Sequence, residues 1–383
     1  MDAFLIGTGG AHGWPLPGCR CASCSRASAA GLQRRPGGVL VDGGLEFRPG
    51  QPPRWGTGSP AATAHRIGAV AGGWDVTGPD GARLLLAAGP GQVPEPVGGA
   101  VPYDIALLDL LASPTHLGRL RSAGLVTEQT AVVALYTDHR VSSAAELARR
   151  CTLWRVQHGD DGQLISRPSQ SPAREPSAAS QPRRTLIVGG ARSGKSTEAE
   201  LRLSGEPRVT YLAAGPWRSS ASPDGLADPE WAQRVARHRA RRPPWWQTIE
   251  TLDIAGYLRR HAGAVLIDGI GTWLAGVMDE AGLWGDADGD RAARSAEPPA
   301  GTVPAGPDRS AVVQSRIDEL IEAWRQTPAL AVAVTDDVGS GVVPAYPAGR
   351  VFRDQLGWLN QRLAAESEEV LHVVAGRVTS LPG

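Results

Sequence analysis

The sequence predicts an α/β protein in two parts, the second built on a mostly parallel sheet behind a phosphate-binding loop. Three observations carry this. From Thr185 onward, short apolar strands alternate with helical stretches, the order that gives a parallel sheet covered on both faces. A complete G-x-x-x-x-G-K-S run, Gly189 to Ser196, follows the first of those strands and opens the first helix. Ahead of it, residues 166–184 are rich in Ser, Pro, Ala and Gln and almost without large apolar side chains, which predicts a flexible linker. The expected domains are therefore 1–165 and 185–383.

The first part alternates short apolar runs with Gly- and Pro-rich turns. Strands are predicted at 39–41, 83–86 and 131–135. A helix is predicted over 113–123, with Ser113 as N-cap and Pro114 at the first helical position, and another over 143–150. In the second part, strands are predicted at 185–188, 209–212, 264–267, 330–334 and 370–374, with helices including 196–203 and 311–324. Residues 285–310 are charged, Gly/Pro/Ala-rich and aperiodic, the composition of a disordered insertion in a surface loop.

Composition narrows the function classes. A chain of 383 residues allows two domains. With 39 basic and 39 acidic residues the formal net charge is zero, which argues against a broad nucleic-acid surface. No apolar run reaches the ~18 residues of a membrane span, and the first residues lack the basic and then apolar pattern of a signal peptide. A cytoplasmic location is expected. Four cysteines make no disulfide framework in a chain this long, and three of them crowd into Cys19-Arg20-Cys21-Ala22-Ser23-Cys24, which points to a metal.

Of the 39 basic residues all but one are arginine, and the exception is Lys195. A compact ammonium in a tight phosphate loop is not interchangeable with a guanidinium. The chemistry of the run Gly189-Gly190-Ala191-Arg192-Ser193-Gly194-Lys195-Ser196 follows from its residues. Glycines let the backbone N–H groups curl around a β-phosphate, and the helix N-terminus adds a positive dipole end. Lys195 neutralises β- and γ-phosphate oxygens, and the Ser196 hydroxyl joins the shell of a nucleotide-bound Mg²⁺. Asp268, at the end of an apolar strand, is placed to face Mg²⁺ or a nucleotide hydroxyl.

Four stretches go beyond a phosphate loop. They are residues 186–196; Tyr211-Leu212-Ala213-Ala214; residues 234–239 with Arg242-Pro243 and Trp246-Gln247-Thr248-Ile249-Glu250; and residues 334–344 continuing through 350–354 to 360–364. On these, residues 185–383 resemble the adenosylcobinamide kinase/adenosylcobinamide-phosphate guanylyltransferase family. The resemblance implies a RecA-like P-loop fold and two reactions at one nucleotide site. The aminopropanol hydroxyl of adenosylcobinamide is phosphorylated from ATP or GTP. A histidine then takes GMP from GTP as a guanylyl-histidine and passes it to the corrinoid phosphate, giving adenosyl-GDP-cobinamide. Splitting a transfer through a covalent histidine is nucleophilic catalysis.

His238 matches the family's nucleophile. Arginines 234, 237, 239, 241 and 242 surround it in sequence, which would keep the imidazole neutral and bind polyphosphate. The resemblance also assigns nucleotide contacts to Arg239, Ala240, Arg241 and Arg242, to the turn Ala214-Gly215-Pro216, and to Glu250, which would hold the guanosine. A homotrimer is expected of such members. The chain departs from the family at Asp336-Asp337, where members often carry Asn-Glu, and at Arg237, where a typical member has a histidine.

In the first part, Gly7 to Pro15, the three cysteines, Val39 to Gly44 and Tyr136-Thr137-Asp138-His139 resemble metallo-β-lactamase-fold phosphodiesterases. No H-x-H-x-D-H run is present and the middle of that fold is short, so a truncated, non-hydrolytic α/β domain is expected. The resemblance implies a structural zinc held by Cys19, Cys21, Cys24 and a late histidine before an Asp-Gly turn, for which His158 fits. Two alternatives stay open: a P-loop kinase or NTPase of another small substrate, and a fusion with an active N-terminal metallohydrolase.

Overall fold

The computed structural model describes residues 1–56, 64–70, 72–87, 101–167, 183–214, 242–283 and 308–383, together with residues 233, 236, 239 and 240. Most of the predicted linker, from 168 to 182, and the predicted insertion up to 307 lie outside the described residues. The chain divides into two compact units: residues 1–179 with 201–207, and residues 180–200 with 208–383.

The first unit runs β1 (Asp2–Gly7), α1 (Ala22–Ala29), β2 (Gly38–Val41), β3 (Leu45–Phe47), β4 (Arg54–Trp55), β5 (Arg66–Val70), β6 (Gly73–Thr77), β7 (Arg83–Ala87), β8 (Ile105–Leu108), α2 (Thr115–Ser122), β9 (Ala131–Ala134), α3 (Ala144–Trp154), β10 (Gln157–His158) and β11 (Leu164–Ser166). They form a five-stranded sheet, β11-β1-β2-β3-β4, and a six-stranded sheet, β10-β9-β8-β7-β6-β5. The first sheet is antiparallel. The second is parallel from β10 to β7 and antiparallel beyond.

Alternation along the strands sorts the core into two layers. Leu84, Leu86, Ile105, Leu107 and Val133 pack with Ala3, Leu5, Val39, Val41 and Phe47 of the first sheet. Their neighbours Leu85, Ala87, Ala106, Leu108 and Val132 pack with Leu117, Leu120, Leu147 and Trp154 of the helices. The unit is thus layered sheet, sheet, helices. Helix α2 starts at Thr115 rather than 113, because Pro114 takes the N-cap position itself and makes no side-chain cap. Helix α3 begins where predicted, with the Ser143 hydroxyl accepting the Glu146 N–H at 3.2 Å. It runs on to Trp154, where Arg155, at φ 54°, stops it in a left-handed turn.

The second unit runs β12 (Arg184–Gly189), α4 (Lys195–Leu203), β13 (Val209–Ala213), β14 (Gln247–Glu250), α5 (Ile254–Arg260), β15 (Ala264–Asp268), α6 (Ile270–Glu280), α7 (Arg309–Gln326), β16 (Leu330–Asp336), α8 (Pro347–Ala365), β17 (Glu369–Val374) and β18 (Arg377–Leu381). One seven-stranded sheet has the order β14-β13-β15-β16-β12-β17-β18. Every pairing but the last is parallel, as the alternation of strands and helices predicts.

Leu186, Val265, Ile267, Ala331 and Ala333 pack with Tyr257, Trp273, Leu320, Trp324 and Leu359 of helices α5 to α8. Ile187, Leu266, Val332 and Val334, pointing the other way, are buried as well. Strands buried on both faces read as unbroken apolar runs, which is why sequence located four of them. Edge strand β14, exposed along three of its four residues, carries no such signal.

Candidate active site

The site forms where β12, β15 and β16 end together. In register, Gly189 sits opposite Asp336, and Asp268 opposite Val334. Between β12 and α4 the chain turns through Arg192 at φ 58° and Gly194 at φ 103°. Gly189 has no room for a side chain: a Cβ there would lie 2.5 Å from Ser193 Oγ and 2.6 Å from the Val373 carbonyl. The tight turn is pinned from outside by the Gly376 N–H, which donates to the Ser193 carbonyl at 2.7 Å.

Lys195 is nearly buried, and its ammonium lies 2.8 Å from Asp336 Oδ1 and 3.1 Å from the Gly190 carbonyl. Asp336 is held in turn by Asn360, whose amide donates to the Asp336 carbonyl at 3.1 Å and accepts from Thr335 Oγ1 at 2.7 Å. Asp336 thus gives the phosphate lysine an internal counter-ion that any incoming phosphate must displace. Replacing it with the uncharged isostere, Asp336→Asn, removes both the competitor and its repulsion of phosphate. Isothermal titration with GTP should show affinity tighter by roughly tenfold, about 1.4 kcal/mol. Weaker binding would contradict this reading.

Ser196 donates to Asp268 Oδ1 at 3.2 Å, and the Tyr211 hydroxyl donates to Asp268 Oδ2. A hydroxyl and a carboxylate side by side at the mouth of a phosphate loop are the hard oxygen donors that Mg²⁺ takes while keeping most of its waters. The residues present therefore fit a nucleotide-bound Mg²⁺. Burial, and then the Asp268 carboxylate, push the Tyr211 phenol well above its ordinary pKa, so it stays a donor.

Beside Tyr211 opens a cavity of about 340 Å³ lined by Arg239, Arg242, Pro243, Trp246, Thr248 and Glu250. Arg239 Nη2 meets Glu250 Oε1 at 2.6 Å. The Arg242 guanidinium lies 3.1 Å over the Tyr211 ring and reaches Thr248 Oγ1 at 3.4 Å. Cation, aromatic, carboxylate and hydroxyl around one cavity are suited to a nucleoside. Of the residues singled out in sequence, Lys195, Ser196 and Asp268 come together at the loop, and Arg239, Arg242 and Glu250 at this cavity. Ala240 is exposed. Ala214 is fully buried in the core cluster, so only its backbone could meet a ligand. Gly215, Pro216, Arg241 and the expected nucleophile His238 lie outside the described residues, as do Arg234 and Arg237.

In the first unit three of the four expected ligands come together, and a different histidine lies beside them. The thiols of Cys19, Cys21 and Cys24 and a ring nitrogen of His139 all lie within 4.8 Å of one another. His158 is not among them. It sits on β10 with Nδ1 3.5 Å from Arg34 and 3.6 Å from Asp160, and burial and the Arg34 cation lower its pKa. The reason is tethering. Ser23 Oγ donates to the Val141 carbonyl at 2.6 Å and Arg26 Nε to the Ser142 carbonyl at 2.9 Å, which draws the segment after β9, with His139, to the thiol turn. The Leu16 N–H points at Cys24 Sγ and the Cys24 N–H at Cys21 Sγ, each at 3.4 Å. Both bonds favour thiolate, and the second lowers the Cys21 thiol, whereas burial pushes the Cys24 thiol up to about 11. Three thiolates and an imidazole at these separations fit zinc, whose tetrahedral S···S edges are about 3.8 Å.

Among the described residues, no helix is long and apolar enough to cross a membrane. The family model for cobinamide kinase / cobinamide phosphate guanyltransferase matches residues 185–381. Three curated relatives align over about half of this chain. The bifunctional adenosylcobalamin biosynthesis proteins CobU of Escherichia coli and of Salmonella typhimurium are each 34% identical, over 50% of this chain and 95% of their own. The bifunctional adenosylcobalamin biosynthesis protein CobP of Pseudomonas aeruginosa is 34% identical over 52% of this chain and 98% of its own. Against the solved P4 protein from bacteriophage phi6 in complex with ADP, the TM-score is 0.21 at 14% identity, over 57% of this chain and 62% of that one.

Proposed function

The chain belongs to the cobinamide kinase / cobinamide phosphate guanyltransferase family, and on that premise we propose how its residues divide the two reactions of cobalamin biosynthesis. The observation that carries the assignment is the junction of two features: a phosphate loop whose lysine and serine face Asp336 and Asp268, and a nucleoside-sized cavity beside Tyr211.

In the kinase step, the aminopropanol hydroxyl oxygen of adenosylcobinamide attacks the γ-phosphorus of ATP or GTP. The bond to the β-bridging oxygen breaks, the nucleoside diphosphate leaves and the hydroxyl proton is released. Lys195, freed from Asp336, neutralises the β- and γ-oxygens, and the loop N–H groups hold the β-phosphate. Bound with the nucleotide, Mg²⁺ supplies charge neutralisation at the phosphates, and Ser196 and Asp268 are the residues that would hold it.

In the guanylyl step, an imidazole nitrogen of His238 attacks the α-phosphorus of GTP and pyrophosphate leaves. A phosphate oxygen of adenosylcobinamide phosphate then attacks the same phosphorus, the P–N bond breaks, and adenosyl-GDP-cobinamide forms. Arg239 and Arg242 with Arg241 hold the polyphosphate, Glu250 takes the guanosine, and Ala214, Gly215 and Pro216 supply further nucleotide contacts. Incubating the protein with adenosylcobinamide, Mg²⁺ and either triphosphate, and weighing the products by mass spectrometry, tests this. The reading requires a phosphorylated corrinoid with at least one donor, and a GDP-corrinoid only when GTP is present. A protein that hydrolyses or transfers phosphate but never to the corrinoid would instead be a P-loop enzyme of another substrate.

The first unit lies outside the family match. Its two facing sheets with helices on one outer face support a truncated metallo-β-lactamase-like fold. The missing H-x-H-x-D-H run supports a non-hydrolytic one over a fusion with an active metallohydrolase. Cys19, Cys21, Cys24 and His139, in place of His158, hold a structural zinc. Metal analysis of the purified chain should find about one zinc. Cys21→Ser or His139→Ala should lose it with a lower melting temperature, while His158→Ala keeps it; retention in His139→Ala would contradict the set. A homotrimer is the expected assembly, supported by the exposed Val342, Val343, Tyr346 and Trp358. Nucleoside triphosphate substrates support a cytoplasmic location.

A further inference from the structure

Tyr211 has no part in the two reactions as described, yet it stands at their junction. It is 2% exposed on a strand whose Val209 and Leu212 are core residues, and its ring lies beneath the Arg242 guanidinium. Asp268 lies on the next strand, paired in register with Ala213. A residue two positions back along β13 shares the face of Ala213, so Tyr211 reaches forward along the sheet to the end of β15.

Asp268 therefore receives two hydroxyl donors, one on each carboxylate oxygen: Ser196 on Oδ1 and Tyr211 on Oδ2. A carboxylate free to spin about its Cβ–Cγ bond samples a broad range of orientations. One held at both oxygens does not. Above the phenol, Arg242 is a lid of charge, and it also lines the nucleoside cavity. A continuous chain of contacts thus runs from cavity to loop: Thr248, Arg242, Tyr211, Asp268, Ser196.

We propose that Tyr211 is a positioning residue that fixes the Asp268 carboxylate for the nucleotide-bound Mg²⁺, and that Arg242 braces it from the nucleoside side. The inference rests on the reading of Ser196 and Asp268 as the Mg²⁺ side of the site. Mg²⁺ demands near-octahedral placement of its oxygens, so a carboxylate that must first be ordered binds it less well. Partners that orient metal ligands are worth about 10- to 100-fold in metal affinity when removed.

The test is Tyr211→Phe, which keeps the ring, the stacking surface for Arg242 and the packing, and removes only the hydroxyl. The probe is α,β-methylene-GTP, which cannot guanylylate the protein, titrated calorimetrically across a series of Mg²⁺ concentrations and again in EDTA. The Mg²⁺ concentration giving half of the tightening should rise about 10- to 100-fold, while affinity in EDTA stays within about twofold of wild type. Arg242→Gln, which removes the cation over the ring, should shift the Mg²⁺ midpoint in the same direction. A Mg²⁺ titration of Tyr211→Phe that superimposes on wild type overturns the inference. So does a variant that binds equally poorly with and without Mg²⁺, because Tyr211 would then be a packing residue. Wild-type binding indifferent to Mg²⁺ would instead sink the underlying reading of Ser196 and Asp268.

Discussion

Lys195→Ala should lose corrinoid phosphorylation by at least about 10³-fold, and the guanylyl label with it. Losing one preorganised donor at a developing charge costs about 10²–10³ in rate. Here the group also carries a full charge, in a chain with no other lysine to take its place. The loss should fall on both reactions because both place a triphosphate on the same loop. Folding should survive: Asp336, left without its partner, is about a third exposed and can be solvated. A melting temperature within a few degrees of wild type, measured beside the activities, separates lost chemistry from lost structure. Lys195→Arg should behave much like Lys195→Ala, since a planar, wider guanidinium does not reproduce the compact ammonium held between the Gly190 carbonyl and Asp336.

The phosphate loop was legible because it is local. Eight consecutive residues carry its geometry, and the one lysine of an arginine-rich chain marks its chemistry. Asp268 could be placed because it ends a run buried on both faces. What stayed hidden depends on contacts between distant residues. Tyr211 reads as one more apolar position of a strand, and its tie to Asp268 exists only through the register of β13 on β15. Strand β14, which lines the cavity with Thr248 and Glu250, is polar and at an edge, so no periodicity announces it.

The thiol cluster shows the same division. Three cysteines within six residues pointed to a metal in sequence, with His158 expected as the fourth ligand. His158 looked right for its place before an Asp-Gly turn. The hydroxyl of Ser23 and the guanidinium of Arg26 hold the residues just after His139, so that His139 rather than His158 lies beside the thiols. Asp336 was noticed only as a departure from the family. Its pairing with Lys195 follows from β16 lying beside β12, a neighbour relation that strand order in the sequence does not give.

The second large effect concerns His238. Its replacement by alanine should abolish the covalent intermediate outright, because in the proposed mechanism His238 supplies the attacking nitrogen. The phosphorylation of adenosylcobinamide should persist within about threefold, since that step passes directly from triphosphate to hydroxyl and needs the positioning groups of the loop alone. A variant that loses one reaction and keeps the other is the signature of two chemistries sharing a nucleotide site, and a mere folding defect would remove both. Lys195→Ala and His238→Ala therefore make a pair with different outcomes from one assay.

The most direct measurement is to incubate wild type and His238→Ala with α-labelled GTP and Mg²⁺, denature, and follow the retained label in acid and in base. A guanylyl-histidine predicts label on wild type that is lost in acid and kept in base, and none on His238→Ala. Wild-type protein that binds GTP yet retains no label, or a label that persists in His238→Ala, would contradict the histidine intermediate.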